Sequence, residues 1–184
     1  MAKGVSLKKY YKNNKKTGFS LIEVLIVIAI ISTLAFVIVT LVNPVEMGRK
    51  SRDAKRLSDL GTIKRAIDLA LADKKTLSLT DIITINSVTD IDGNGLDISK
   101  YLPTIPKDPS YSASGGDVRV VLKNCTSATA NKNSMVYEYK SDGSTYVLRA
   151  RFESLGSCTT ITEDGYPSDY YELGTDPGLN LMDE

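Results

Sequence analysis

The chain has 184 residues, 23 Lys and Arg against 22 Asp and Glu, two cysteines, and neither tryptophan nor histidine. Without histidine there is no Ser-His or Cys-His dyad and no imidazole metal site. The sequence also has no G-x-S-x-G motif and no phosphate-cradling glycine loop with lysine. The net charge of +1 joins unlike parts: residues 1–17 carry six lysines and no acid, whereas residues 76–184 carry 8 Lys/Arg against 16 Asp/Glu. Acidic pairs such as Glu163-Asp164 suit a solvated surface as well as they suit glycosidase chemistry. A structural rather than an enzymatic chain is expected.

Residues 19–42 form a run of 24 with Glu23 as its only charge. At about 1.5 Å per helical residue it is long enough for a hydrocarbon core of roughly 30 Å, and it has no polar face. Lys3, Lys8, Lys9, Lys12, Lys15 and Lys16 precede it. By the positive-inside rule they hold the N-terminus in the cytoplasm and send everything after Asn43 outward. A secretory signal is the ordinary alternative. The run exceeds the usual apolar length of about 7–15 residues, however, and no A-x-A-like site closes it. A plain membrane anchor is the second alternative. Against it stands Glu23, since a carboxylate in a lone membrane helix costs roughly 2.5–3.5 kcal/mol near the centre and less toward an end.

The stretch Lys15-Lys16-Thr17-Gly18-Phe19-Ser20-Leu21-Ile22-Glu23, leading into that run, resembles the leader and first helix of type IV prepilins and type II secretion pseudopilins. The resemblance implies that a membrane-embedded prepilin peptidase cuts after Gly18 and methylates the new amino terminus at Phe19. The apolar helix then stays on the mature protein. It also implies that Glu23 pairs with the N-terminal amine of a neighbouring copy, which is physically reasonable because a carboxylate in a low-dielectric layer needs a partner. The implied partners are other copies in a helical filament, the peptidase and methyltransferase, an inner-membrane assembly platform, and the lipid bilayer before assembly. The expected function is a structural subunit of a type IV pilus-like or type II secretion pseudopilus filament, with a role in protein secretion. Two alternatives stay open: a surface pilin for adhesion, motility or DNA uptake, and a single-pass anchored binding module.

Beyond the run, Asn43-Pro44 predicts a kink or local unwinding. In residues 45–73, Leu57, Leu60, Ile63, Ile67, Ala70 and Leu71 recur at helical spacing, which predicts an amphipathic helix. Its opposite face reads as solvated and charged, with Lys64–Asp68 and Arg56–Asp59 at pairing distance. The basic cluster at 49–56 admits a lipid-headgroup or nucleic-acid reading, but a solvated helix face is the plainer one, and no nucleic-acid partner is expected. The resulting division is a leader at 1–18, a membrane or filament-core helix at 19–43, its amphipathic continuation at 44–75, and an exported head at 76–184.

In the head, alternation predicts strands at 118–123, 135–140 and 146–152. The last two are joined by an Asp142-Gly143 hairpin. The expected fold class is α+β: a long helix, half transmembrane and half amphipathic, packed on a small antiparallel sheet of three or four strands, which is also the pilin fold of the family resembled. Asp90, Asp92, Asn94 and Asp97 resemble the front of a calcium loop, and calcium is the candidate cofactor. Tyr101 stands where a bidentate glutamate belongs, and a metal-free turn explains the same cluster. The segment Pro103-Thr104-Ile105-Pro106-Lys107-Asp108-Pro109 forces an extended path. Its Pro-Lys-Asp-Pro part resembles a loop of major pseudopilins, without the tryptophan-glycine pair that usually follows. Cys125 and Cys158, both on the expected exported side, favour a disulfide over two free thiols. Tyr137, Tyr139 and Tyr146 fall within strands and are expected to pack. The tail from Gly174 to Glu184 is expected to be mobile.

Overall fold

A computed structural model describes residues 18–41, 43–85, 91, 96–162, 164 and 168–183. The leader at 1–17, three of the four calcium-loop candidates (Asp90, Asp92, Asn94) and the Glu163 and Gly165 positions lie outside the described residues. The chain divides into two compact units, Met1–Asn43 and Pro44–Glu184.

The first unit contains α1, Leu21–Leu41. Its Leu/Ile/Val content gives no polar face, and the side chains of residues 21–39 are all exposed. The stretch Leu21–Val39 is long and apolar enough to cross a membrane. Its two hydroxyls are turned inward on the helix: Ser32 Oγ donates to Ile28 O at 2.7 Å and Thr33 Oγ1 to Ile30 O at 2.8 Å. Hydroxyls bonded in this way do not bring an unsatisfied donor into apolar surroundings.

The second unit opens with α2, Pro44–Ala72. Pro44 is the first helical residue, where its missing N–H would have had no intrahelical partner. The helix closes with Lys74 N–H on Leu71 O at 3.0 Å and Lys75 N–H on Ala70 O at 3.1 Å. Lys74 sits at φ 65°, the left-handed position that usually takes glycine.

A four-stranded antiparallel sheet lies against α2. Its strands are β1 (Leu79–Thr84), β4 (Glu138–Asp142), β5 (Tyr146–Ala150) and β6 (Tyr171–Gly174), in the order β1-β4-β5-β6. A separate two-stranded ribbon pairs β2 (Asp117–Val121) with β3 (Ser127–Asn131). The strand expected at 118–123 therefore belongs to this ribbon and not to the four-stranded sheet. It joins the main body through Val121 N–H on Phe152 O at 2.8 Å.

The core forms where Leu60, Ile63, Ala66, Ile67 and Ala70 of α2 meet Tyr139 of β4, Tyr137 just before it, and Tyr146, Leu148 and Ala150 of β5. The Tyr139 and Tyr146 rings stack with centroids 5.9 Å apart. These tyrosines pack, as alternation predicts. β5 is covered on both faces, because Val147, which points away from α2, meets Leu179, Leu181 and Met182. The segment expected to be a mobile tail thus packs through its apolar side chains on the far face of the sheet. At its start, Gly174 lies so close to β5 that an added Cβ would fall 2.0 Å from Tyr146 O. Only glycine permits that approach.

The turn after β2 carries Cys125, which is joined by a disulfide to Cys158 at the start of α3, Cys158–Thr162. This cross-link ties the ribbon to the cluster of Val121, Phe152, Cys158 and Ile161. A closed loop of this length contributes about 3–4 kcal/mol in the chain-entropy model. The C125S/C158S double variant should therefore lose about that much unfolding free energy in denaturant titration, and reduction of the wild type should reproduce the loss.

Candidate assembly site

The amino-terminal end of α1 sets out the residues singled out in the sequence. Gly18, Phe19 and Ser20 precede the helix, and Ser20 O accepts from Glu23 N at 3.0 Å and Val24 N at 3.2 Å to start it. Glu23 therefore stands in the first turn, where the exposed N–H groups carry partial positive charge and favour a carboxylate. Phe19 is 81% exposed. A Cβ built at Gly18 meets nothing within 4 Å, and its φ is not in the left-handed region. Folding therefore makes no demand for glycine at this position. Gly18, Phe19 and Glu23 lie within six residues of one another, on a surface that is otherwise apolar.

In the head, the charged face of α2 is solvated only in part: Lys50, Lys55 and Arg65 are exposed, as expected from the sequence, but Asp53 and Arg56 are not. Asp53 and Arg56 are buried beside the apolar stripe. Arg56 is wholly inaccessible and carries three carboxylates: Asp53 Oδ1 on Nη1 at 2.7 Å, Asp108 Oδ2 on Nε at 2.6 Å and Glu153 Oε1 on Nη2 at 2.6 Å. Its Nη2 also donates to Asp108 Oδ1 at 2.8 Å, which makes the Asp108 contact bidentate. Asp53 in turn accepts from Glu153 N at 2.9 Å, Ser154 N at 2.8 Å and Ser157 Oγ at 3.0 Å. Arg52 adds a second cation to Glu153, with Nη2 to Oε2 at 2.5 Å. Asp108 comes from the Pro-Lys-Asp-Pro loop, whose prolines hold it extended toward the helix. The expected Arg56–Asp59 pair is thus replaced by bonds to elements distant in sequence, because a buried guanidinium needs every N–H satisfied.

The electrostatics follow from this packing. Burial pushes Glu153 upward, but hydrogen bonds from Arg52, Ser110 and Arg56 prevail and hold the carboxyl at about 2. Asp53 sits above its ordinary value, because burial outweighs the N–H donors and Arg56. Burial opposes the charge on Arg56, yet the hydrogen bonds and charges of Asp108 and Glu153 raise its pKa.

A row of tyrosine–aspartate bonds runs along α2 and sets its register on the head. Tyr137 Oη donates to Asp59 Oδ2 at 2.8 Å and Tyr146 Oη to Asp68 Oδ1 at 2.6 Å, while Tyr101 Oη reaches Asp73. Burial, reinforced by these carboxylates, raises the pKa of Tyr137 and Tyr146. The expected Lys64–Asp68 pair is present at 2.7 Å.

Of the calcium-loop candidates, only Asp97 is described. Its Oδ1 accepts from Ser99 N at 2.8 Å, which is a turn-forming bond. Among the described residues no group of three or more His, Cys, Asp or Glu is placed to hold a metal ion. Near the C-terminal strand, Asp164 Oδ2 accepts from Glu172 N at 2.7 Å, and burial raises the Asp164 carboxyl to about 6. Asp169 accepts from Lys123 N at 2.8 Å. The Arg56 cluster had no signature in the sequence beyond the i, i+3 spacing of Asp53 and Arg56. That spacing is equally common on solvated helices.

The comparison with protein families places a prokaryotic N-terminal methylation motif on residues 13–39. The match spans the end of the leader, Gly18, Phe19, Glu23 and most of α1, and it supports a pilin-like subunit of the type IV pilin and pseudopilin kind. Neither a curated protein nor a solved structure matches the chain.

Two effects are expected of the Arg56 cluster. Substituting R56M should lower stability at neutral pH by about 3–5 kcal/mol, because it leaves buried carboxylates without their cation. In the wild type, the folded-state pKa of Glu153 lies below its ordinary value of 4.5. Its contribution is therefore complete above about 4.5 and is lost as pH falls toward about 2. Thermal unfolding from neutral pH down to about 2 reads both effects, and an R56M variant as stable as the wild type at neutral pH would contradict the assignment.

Proposed function

We propose that the chain is a structural subunit of a type IV pilus-like or type II secretion pseudopilus filament, anchored in the cytoplasmic membrane by α1 until it assembles. The leader stays in the cytoplasm and the head is exported. The observation that carries this reading is the register of three features in one motif: Gly18 before Phe19, an apolar helix starting two residues later, and Glu23 in its first turn. Gly18 has no folding role, so a requirement for it belongs to recognition by a processing peptidase. Phe19 then becomes the methylated N-terminus. Its amine is the cation that Glu23 of an adjoining copy needs once lipid is left behind.

A secretion role is the finer reading. It is supported by the Pro-Lys-Asp-Pro loop, which resembles that of major pseudopilins and here supplies Asp108 to Arg56. The division proposed is a leader at 1–18, a filament-core helix at 19–43, an amphipathic segment at 44–75 and a head at 76–184.

Mass spectrometry of protein from the assembled fraction tests the reading. The expected mature chain begins at Phe19 and carries one N-terminal methyl group, and a bulky substitution at Gly18 should leave the leader attached. E23Q should be processed normally yet fail to enter sheared filaments. An intact leader on assembled wild-type protein would overturn the proposal.

A further inference from the structure

We propose that a basic cleft on the head binds the phosphate of an anionic lipid headgroup while the subunit resides in the membrane. The proposal rests on the reading of residues 19–42 as a membrane span. The cleft, about 520 Å³ in volume, has Val45, Arg49 and Arg52 of α2 on one wall and Tyr111, Arg119 and Lys132 on the other.

Four cationic side chains line this space against two carboxylates, Asp117 and Glu153, and the neighbouring Glu46 is shared between Arg49 and Arg119. Glu153 is 1% exposed and holds Arg52 and Arg56. Glu46 accepts from Ser154 Oγ at 2.7 Å and Leu155 N at 3.0 Å, in addition to Arg49 and Arg119. Asp117 is an exposed acid on the rim. The arginine side chains are partly desolvated, at 24% exposure for Arg49, 38% for Arg52 and 25% for Arg119. Lys132 makes no ion pair among the described residues. A guanidinium has five N–H donors in a planar fork that matches phosphate oxygens. Of those on Arg49, the contact to Glu46 uses Nη1 at 3.2 Å.

The position of the cleft in the chain selects the source of the phosphate. Arg49 follows Leu41, the last residue of α1, by eight positions. At a maximum of about 3.6 Å per residue, it therefore stays within roughly 29 Å of the end of the span, whatever path the chain takes. In the opening turn of α2, Val45 and Met47 are 59% and 61% exposed. Basic and apolar side chains mixed in this way suit the headgroup layer. A free phosphate ion shares the chemistry, but a lipid is presented at high effective concentration by the bilayer that holds α1.

The test uses the full-length protein in vesicles of phosphatidylcholine, with or without phosphatidylglycerol. Native mass spectrometry then reads which lipids stay bound. The wild type should retain phosphatidylglycerol in excess over phosphatidylcholine, and R49Q/K132Q should lose that preference by about fivefold for each cation removed. Neither residue belongs to the Arg56 cluster. If the double variant does not fold, K132Q alone should show the single fivefold loss.

Equal retention of the two lipids overturns the proposal, as does a preference unchanged by substitution. Displacement of the lipid by millimolar inorganic phosphate also overturns it, since the cleft would then be a site for soluble anions. A wild type that fails to insert into vesicles of either composition overturns the membrane reading and this proposal together. Insertion without lipid preference overturns this proposal alone.

Discussion

The surface of α1 has to be covered. Over residues 21–39 it presents apolar side chains, two hydroxyls turned onto their own backbone, and one acid, all of them exposed. Each Leu or Ile removed from water contributes about 1.5–3 kcal/mol, so the helix cannot persist bare in solution. Lipid tails cover such a surface as well as other helices do, and exchanging one for the other brings little hydrophobic gain. On the proposed reading, Glu23 decides the exchange. Near the membrane surface its charge is tolerated at the favourable end of the helix dipole. Within a bundle of helices it needs a cation, and the processed terminus of an adjoining copy is one.

The head meets a different demand. A unit of about 140 residues has a modest core, and α2 supplies one wall of it while Arg56 supplies the anchor. The cation reaches three carboxylates from α2 itself, from the proline-held loop before the ribbon and from the segment after β5. Removing the cation leaves carboxylates buried without their partner, so the network specifies how the helix, loop and sheet fit together as much as it adds stability. The tyrosine–aspartate bonds farther along α2 fix the same register from the side of the sheet. These bonds all lie within residues 44–184. This suits a subunit proposed to exchange the surroundings of α1 while its head stays folded.

The parts legible in the sequence are those where one physical demand dominates. The apolar helix is legible because Glu23 is the only charge in residues 19–42. The α2 stripe from Leu60 to Ala70 shows because period and burial agree, and the turn at Asp142-Gly143 shows because Gly143 adopts φ 87°. The rest gave mixed signals. Asp53 and Arg56 look solvated because charge usually is, and their burial depends on partners 50 to 100 residues away. β1 was hidden because its pairing with β4 shifts register between Thr80 and Ile83, which breaks the alternation. β3 is Ser-Ala-Thr-Ala-Asn and has no large apolar residue. β6 is four residues long with a buried Glu172, and the turn signal of Asp176-Pro177-Gly178 concealed the Leu179, Leu181 and Met182 contacts.

On the proposed reading, copies of α1 cover one another in the assembled state. A photo-crosslinking amino acid placed at Ile28, midway along the exposed apolar surface, tests it most directly in cells that export the protein. The account predicts a ladder of dimers, trimers and longer species from the wild-type chain, and loss of that ladder when cleavage at Gly18 is blocked. Crosslinks to lipid alone, or a ladder that persists with the leader uncut, would contradict it.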